Sequence, residues 1–158
     1  MRIGILQPGY LPWLGFFEQM YKSDVFVIYD DVQYDKEGWR NRNRIKTANG
    51  IQWLTVPVMV RLETHPLVHE VKIDNKTNWR KKHLSSIRQN YSKAPYFKEY
   101  IAVFEEAYLK EWECLMDIDM YFILRLTECL GMENKKIVKS STLNTTGDRI
   151  ERLINICK

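Results

Sequence analysis

Apolar positions in this chain form short unbroken runs near the N-terminus and helical stripes after residue 79. Arg2–Leu6 reads as a short buried strand, stopped by Gln7-Pro8-Gly9. A helix from about Trp13 to Tyr21 follows. Val25–Tyr29 is then continuously apolar, as in a strand covered on both faces. Strand, helix and strand in so short a span predict a βαβ unit, the start of a parallel sheet.

The middle follows a different rhythm. Gln52–Val58 and Leu67–Ile73 are β-rich, and Leu67, His69, Val71 and Ile73 alternate with Val68, Glu70 and Lys72. A polar link containing Pro66 joins them, which predicts an antiparallel excursion from the main sheet. From Trp79 the spacing becomes helical. Leu84, Ile87 and Tyr91 share one stripe, and Phe97, Tyr100, Ile101, Phe104 and Tyr108 a second. A third runs from Trp112 and Leu115 to Leu130, with Gly131 placed as a C-cap. Lys136–Ser140 predicts a strand, and Thr145–Asp148 matches a capping pattern before Ile150, Leu153 and Ile154. A strand followed by a helix calls for another parallel strand, so a C-terminal portion is expected beyond Lys158. The predicted fold is α/β: a Rossmann-like, mostly parallel sheet with a β-rich excursion and a helical C-terminal half, in a single domain over 1–158.

Composition narrows the class. Apolar residues at 45% and charged residues at 28% suit a globular protein that buries a core. No apolar run reaches the roughly 18 residues of a membrane span, and Pro8 interrupts the N-terminus before a signal-peptide core could form. The expected location is cytoplasmic. Cys114, Cys129 and Cys157 are scattered and odd in number, which predicts buried free thiols and no metal set. Net charge is a mild +4, but Lys36, Arg40, Arg42, Arg44 and Lys46 crowd together, opposed only by Glu37. Arg80-Lys81-Lys82 forms a second basic cluster. Such clusters suit an anionic partner.

Four constellations could carry chemistry. Gln7, Pro8, Gly9, Tyr10 and Gly15 lie in or beside the loop after the first strand, where open α/β sheets bind ligands. Pro8 and Pro12 stiffen it, Gly9 and Gly15 permit close approach, and Tyr10 and Trp13 offer stacking faces. Asp30 and Asp31 follow the second strand, placed to bind a metal, to orient sugar hydroxyls or to act as general acid and base, with nothing that singles out a metal. In Trp39-Arg40-Asn41-Arg42-Asn43-Arg44 the alternation predicts a strand with Arg40, Arg42 and Arg44 on one face and Asn41 and Asn43 on the other. Its forked donors suit phosphate or carboxylate. His83 lies one helical turn after Trp79 and is the candidate for proton transfer near neutral pH. His65 and His69 are separated by Pro66 and a strand-like pattern, which spoils a helical metal pair. The signatures GxSxG, Walker A, GxGxxG and HExxH are all missing.

The segments ILQPGYLPWLGFF, DVFVIYDDVQY, WRNRNRIKT, WLTVPV and WRKKHL…IRQNY…APYF, in this order, resemble the WbqC-like family over nearly the whole chain. The resemblance implies a role in bacterial surface-polysaccharide synthesis, O-antigen especially. It marks Gln7, Pro8, Tyr10, Gly15, Asp30, Asp31, Trp39, Asn41, Arg42, Asn43, Arg44, His83 and Tyr91 as motif positions. A more distant likeness is to pantothenate synthetase and other nucleotidyltransferases with a HIGH-type motif, whose histidines bind ATP phosphates. Here the corresponding Trp13-Leu14-Gly15-Phe16 contains no histidine, which argues against adenylyl transfer by that machinery.

The expectation drawn from residues and resemblance together is a transferase of polysaccharide or sugar-nucleotide metabolism. Its substrate would be an anionic small molecule, with nucleotides and nucleotide sugars as candidates. Gln7–Gly15 and Trp39–Arg44 would bind it, while Asp30, Asp31 and His83 would serve as catalytic groups. No cofactor or oligomeric state follows from the sequence. Two alternatives stand beside this reading. One is a nucleic-acid-binding module on Trp39–Trp53, against which the mild charge counts; the other is a non-catalytic scaffold of a polysaccharide-assembly complex.

Overall fold

A computed structural model describes residues 1–60 and 65–158. The βαβ unit forms as the apolar runs predict: β1 (Ile3–Leu6), α1 (Leu14–Lys22) and β2 (Val25–Ile28), with β1 and β2 parallel. The third strand of this sheet is β7 (Lys136–Lys139), which pairs in parallel with the other side of β2. The central strand is thus the most apolar one, with Phe26, Val27 and Ile28 all buried. Phe26 and Ile28 meet Phe16, Phe17 and Met20 of α1 in a closed apolar cluster. Ser23 ends α1 by donating its hydroxyl to the Met20 carbonyl.

The excursion consists of a hairpin, β3 (Arg42–Thr47) with β4 (Gly50–Thr55), and a short antiparallel pair, β5 (Val58–Met59) with β6 (Lys72–Ile73). Gly50 sits at φ +104, a conformation that turns the hairpin without strain only for glycine. The long strand expected over Leu67–Ile73 does not form. Val68–Glu70 is a 3-10 turn, leaving two residues for β6. Glu70 accepts a hydrogen bond from the Leu67 amide, and the Val68 and His69 amides donate to the carbonyls of Val32 and Asp30. Those bonds satisfy the backbone locally and override the period-two pattern. Part of the polar link before Pro66 lies outside the described residues.

Three helices supply most of the remaining core: α2 (Trp79–Tyr91), α3 (Phe97–Leu109) and α4 (Leu115–Cys129). Ile87, Ala107, Tyr108, Ile118 and Phe122 meet Leu54, Val56 and Val71 of the excursion in a second apolar cluster. Gly131 closes α4 at φ +72, as expected. The last helix, α5 (Arg149–Ile156), is capped one turn later than the Thr145 pattern predicts. Asp148 accepts from the Ile150 and Glu151 amides, because Gly147 at φ +124 breaks the chain just before it. The cysteines are free, but not all are buried: Cys114 and Cys129 are half-buried at the two ends of α4, and Cys157 is exposed after α5. Among the described residues no helix is long and apolar enough to cross a membrane.

Candidate functional site

The loop after β1 is held against the segment before β3 by main-chain and side-chain bonds. The Tyr10 amide donates to the Arg40 carbonyl (3.0 Å), and the Arg40 guanidinium returns a 2.7 Å bond to the Pro8 carbonyl. Asn43 donates to the carbonyls of Leu11 and Tyr10. Gly9 is needed here, since a Cβ would fall 2.9 Å from the Trp39 carbonyl oxygen. Two segments more than thirty residues apart in sequence therefore share one wall.

That wall encloses a cleft of about 500 Å³ lined by Gln7, Gly9, Trp39, Arg40, Asn43 and Arg44, with Trp13 and Phe16 at the start of α1. Gly15 packs under the Trp13 ring, where a Cβ would collide with it. Arg44 is exposed and stacks over Trp39 at 4.9 Å and Trp53 at 5.5 Å; Arg42 lies over Trp53 at 5.0 Å. The guanidinium forks of Arg42 are spent on the Gly38 and Glu37 carbonyls. The predicted strand over Trp39–Arg44 is therefore corrected: β3 begins at Arg42, and Arg40 leaves the face of Arg42 and Arg44 to brace Pro8. Asn41 is buried, donating to the Val56 carbonyl at 2.8 Å.

Asp30 and Asp31 join a different constellation. Asp30 is buried and accepts from the Ser141 amide (3.0 Å), the Ser141 hydroxyl (2.8 Å) and the Ser140 hydroxyl (3.1 Å). Asp31 accepts from Ser140 and pairs with Arg152 of α5. The carboxylates thus tie the end of β2 to the end of β7, on the side of β2 away from β1. The His69 amide and ring reach the Asp30 carbonyl, while His65 contacts Gln33, so the two histidines stay apart. No group of three or more His, Cys, Asp or Glu side chains gathers as a metal set among the described residues.

His83 is buried beneath the first loop. Its ring meets Trp79 at 5.4 Å, as the one-turn spacing predicts, and Nδ1 shares a 2.9 Å hydrogen bond with the Tyr10 hydroxyl. That hydroxyl also bonds Tyr108 of α3. Burial pulls the His83 pKa down to about 4, against a smaller upward pull from the Thr55 backbone, so the ring is neutral near pH 7. Burial likewise pushes the Tyr10 phenol well above its usual value. Tyr10, read as a stacking face, is instead a plug with no exposed surface, whereas Trp13 is 62% exposed. Neither His83 nor the Asp30–Asp31 pair lines the Gln7 cleft among the described residues.

Four residues went unnoticed in the sequence, Arg152 of α5 among them. Ser140 and Ser141 follow β7 directly, and two hydroxyls at a parallel strand end were the available signal. Asp119 stands on the buried stripe of α4 beside Ile118 and Phe122, fully buried, with neither carboxylate oxygen hydrogen-bonded among the described residues. Burial drives its pKa well up, opposed only by the charge of Arg40. A carboxylate on an apolar helix face was its signal.

The WbqC-like protein family profile matches residues 7–158, from the first cleft residue through α5. The chain belongs to the WbqC-like protein family. This WbqC-like chain is 37% identical over 158 residues to the uncharacterized protein Rv1507c of Mycobacterium tuberculosis, covering 99% of this chain and 68% of the relative. No solved structure matches it.

Proposed function

We propose that this WbqC-like protein is a transferase of bacterial surface-polysaccharide or sugar-nucleotide metabolism that binds a phosphorylated or carboxylated small molecule beyond β1. One observation carries the reading: Arg40 and Arg44 lie on the wall of a single cleft, beside Gln7 and the ring of Trp39. Guanidinium forks match the oxygen geometry of both anions. Arg40 is partly desolvated, which strengthens its attraction for an incoming anion. An indole face beside them suits a base or sugar ring. Arg42 and Asn43 hold the wall, while Asp30, Asp31 and His83 brace the strand end and the Tyr10 loop behind it.

Calorimetric titration with nucleoside di- and triphosphates and nucleotide sugars tests the reading. Arg44→Ala is expected to weaken the best ligand about tenfold or more, the loss of one charge-assisted bond. Absence of saturable binding by every one of them, in wild type and variant alike, refutes it. A second reading draws on the exposed stack of Trp39, Arg44 and Trp53, which resembles the platforms on which single-stranded nucleic acids stack. Oligonucleotide binding that falls steeply with salt supports that alternative; none at low salt removes it.

A further inference from the structure

Next to the polar cleft runs a larger groove of about 580 Å³, within the usual size of a small-molecule site. Its walls are aliphatic and aromatic, built from Leu14 of α1, Ile87 and Tyr91 of α2, and Phe97, Ile101 and Phe104 of α3. At its mouth Trp13, Leu14 and Tyr96 are 62%, 79% and 68% exposed, a concentration of apolar surface that marks a binding site on a globular protein. One charged side chain, Arg44, is found among the residues that line it. Pro12, Trp13, Asn43 and Arg44 line this groove and the polar cleft together.

We propose that the two cavities are halves of one site for a single amphiphile, a hydrocarbon chain joined to a phosphate, with the chain in the groove and the phosphate at Arg44. The inference rests on the anion-binding reading above and names its substrate class. Charge and polarity together select this occupant. A hydrophilic nucleotide leaves the groove wet, and a neutral or cationic lipid leaves Arg44 without a counter-charge. An anionic headgroup at Arg44, on the wall the cavities share, directs the attached chain toward Ile45 and Ile101 of the groove.

The experiment uses n-alkyl phosphates from butyl to dodecyl, kept monomeric, with inorganic phosphate as the zero-length member and tryptophan fluorescence and calorimetry as readouts. Affinity is expected to rise two- to fourfold per methylene until the groove is filled. Arg44→Gln should weaken every length about tenfold. Ala94→Trp should flatten the dependence on chain length; Ala94 is exposed and its amide bond to the Tyr91 carbonyl survives the change, and a thermal melt checks the fold. Phosphate and nucleotide binding without any dependence on chain length overturns the amphiphile and leaves the anion site standing. Chain-length dependence shared equally by n-alkyl alcohols, indifferent to Arg44→Gln, overturns the joint site. No binding of phosphate in any form overturns both readings. Sedimentation with phosphatidylglycerol vesicles, without binding of the monomeric phosphates, replaces a single-molecule site with a membrane surface and also overturns it.

Discussion

Acidification should destabilise this protein through His83. The ring is neutral and enclosed by Tyr10, Trp79 and Tyr108, with a folded pKa of about 4 against an ordinary 6.5. A histidine whose folded pKa is depressed contributes stability that is fully present above pH 6.5. That stability is lost as the pH falls toward 4, because the unfolded chain takes up the proton first. The whole gap is worth about 3 kcal/mol, and the part between pH 7 and pH 4.5 about 2 kcal/mol. Carboxylates titrate in the same window, Asp119 with the opposite sign, so wild type must be compared with His83→Asn, which keeps a polar group toward Tyr10 but cannot charge. Urea unfolding followed by tryptophan fluorescence at the two pH values provides the measurement. Wild type is expected to lose about 2 kcal/mol more than the variant, roughly 1 M in the urea midpoint for an ordinary slope. Equal losses in the two proteins would falsify the claim that His83 is held neutral by burial. The same titration bears on the cleft, since Tyr10 carries the backbone bond that joins the first loop to Arg40.

Three further outcomes follow from the packing. Gly9→Ala pushes a methyl group against the Trp39 carbonyl, a backbone contact that has to shift, so phosphate affinity should fall; unchanged affinity argues against the cleft. Asp119→Asn should stabilise the fold increasingly as pH rises, because a carboxyl with a raised pKa favours the native state only while protonated. Asn cannot ionise, so its stability relative to wild type should be higher at pH 8 than at pH 5 in urea unfolding, and a relative stability that is flat or falls with pH contradicts it. Phe122→Ala removes a ring in contact with Tyr10, Phe104, Tyr108 and Tyr121 and should cost about 3–5 kcal/mol in chemical unfolding; a cost below 1 shows that the site collapses.

What the sequence determined by itself is local. Continuous apolar runs at Ile3–Leu6 and Val25–Ile28 announced strands covered on both faces, and helical spacing announced α2, α3 and α4. One-turn spacing put Trp79 and His83 together. Each of these depends on residues a few positions apart, which share a face by backbone geometry alone. The misreadings were equally local in origin. Period-two alternation over Leu67–Ile73 and Trp39–Arg44 is what a strand would show, but hydrogen bonds to the Val32 and Asp30 carbonyls and from the Tyr10 amide had already claimed those backbones.

Only the tertiary structure decided which groups meet. Gln7 and Arg44 share a wall because the Tyr10 amide donates to Arg40 and the Arg40 guanidinium donates to Pro8, a pairing without any sequence period. Asp30 and Asp31 were expected beside them and lie instead with Ser140, Ser141 and Arg152, because β7 took the other flank of β2. The apolar groove likewise gathers residues from α1, β3, α2, α3 and α4. Sites made by long-range contacts depend on the order of strands and the crossing of helices, which many distant burial terms set jointly and no short stretch of residues encodes.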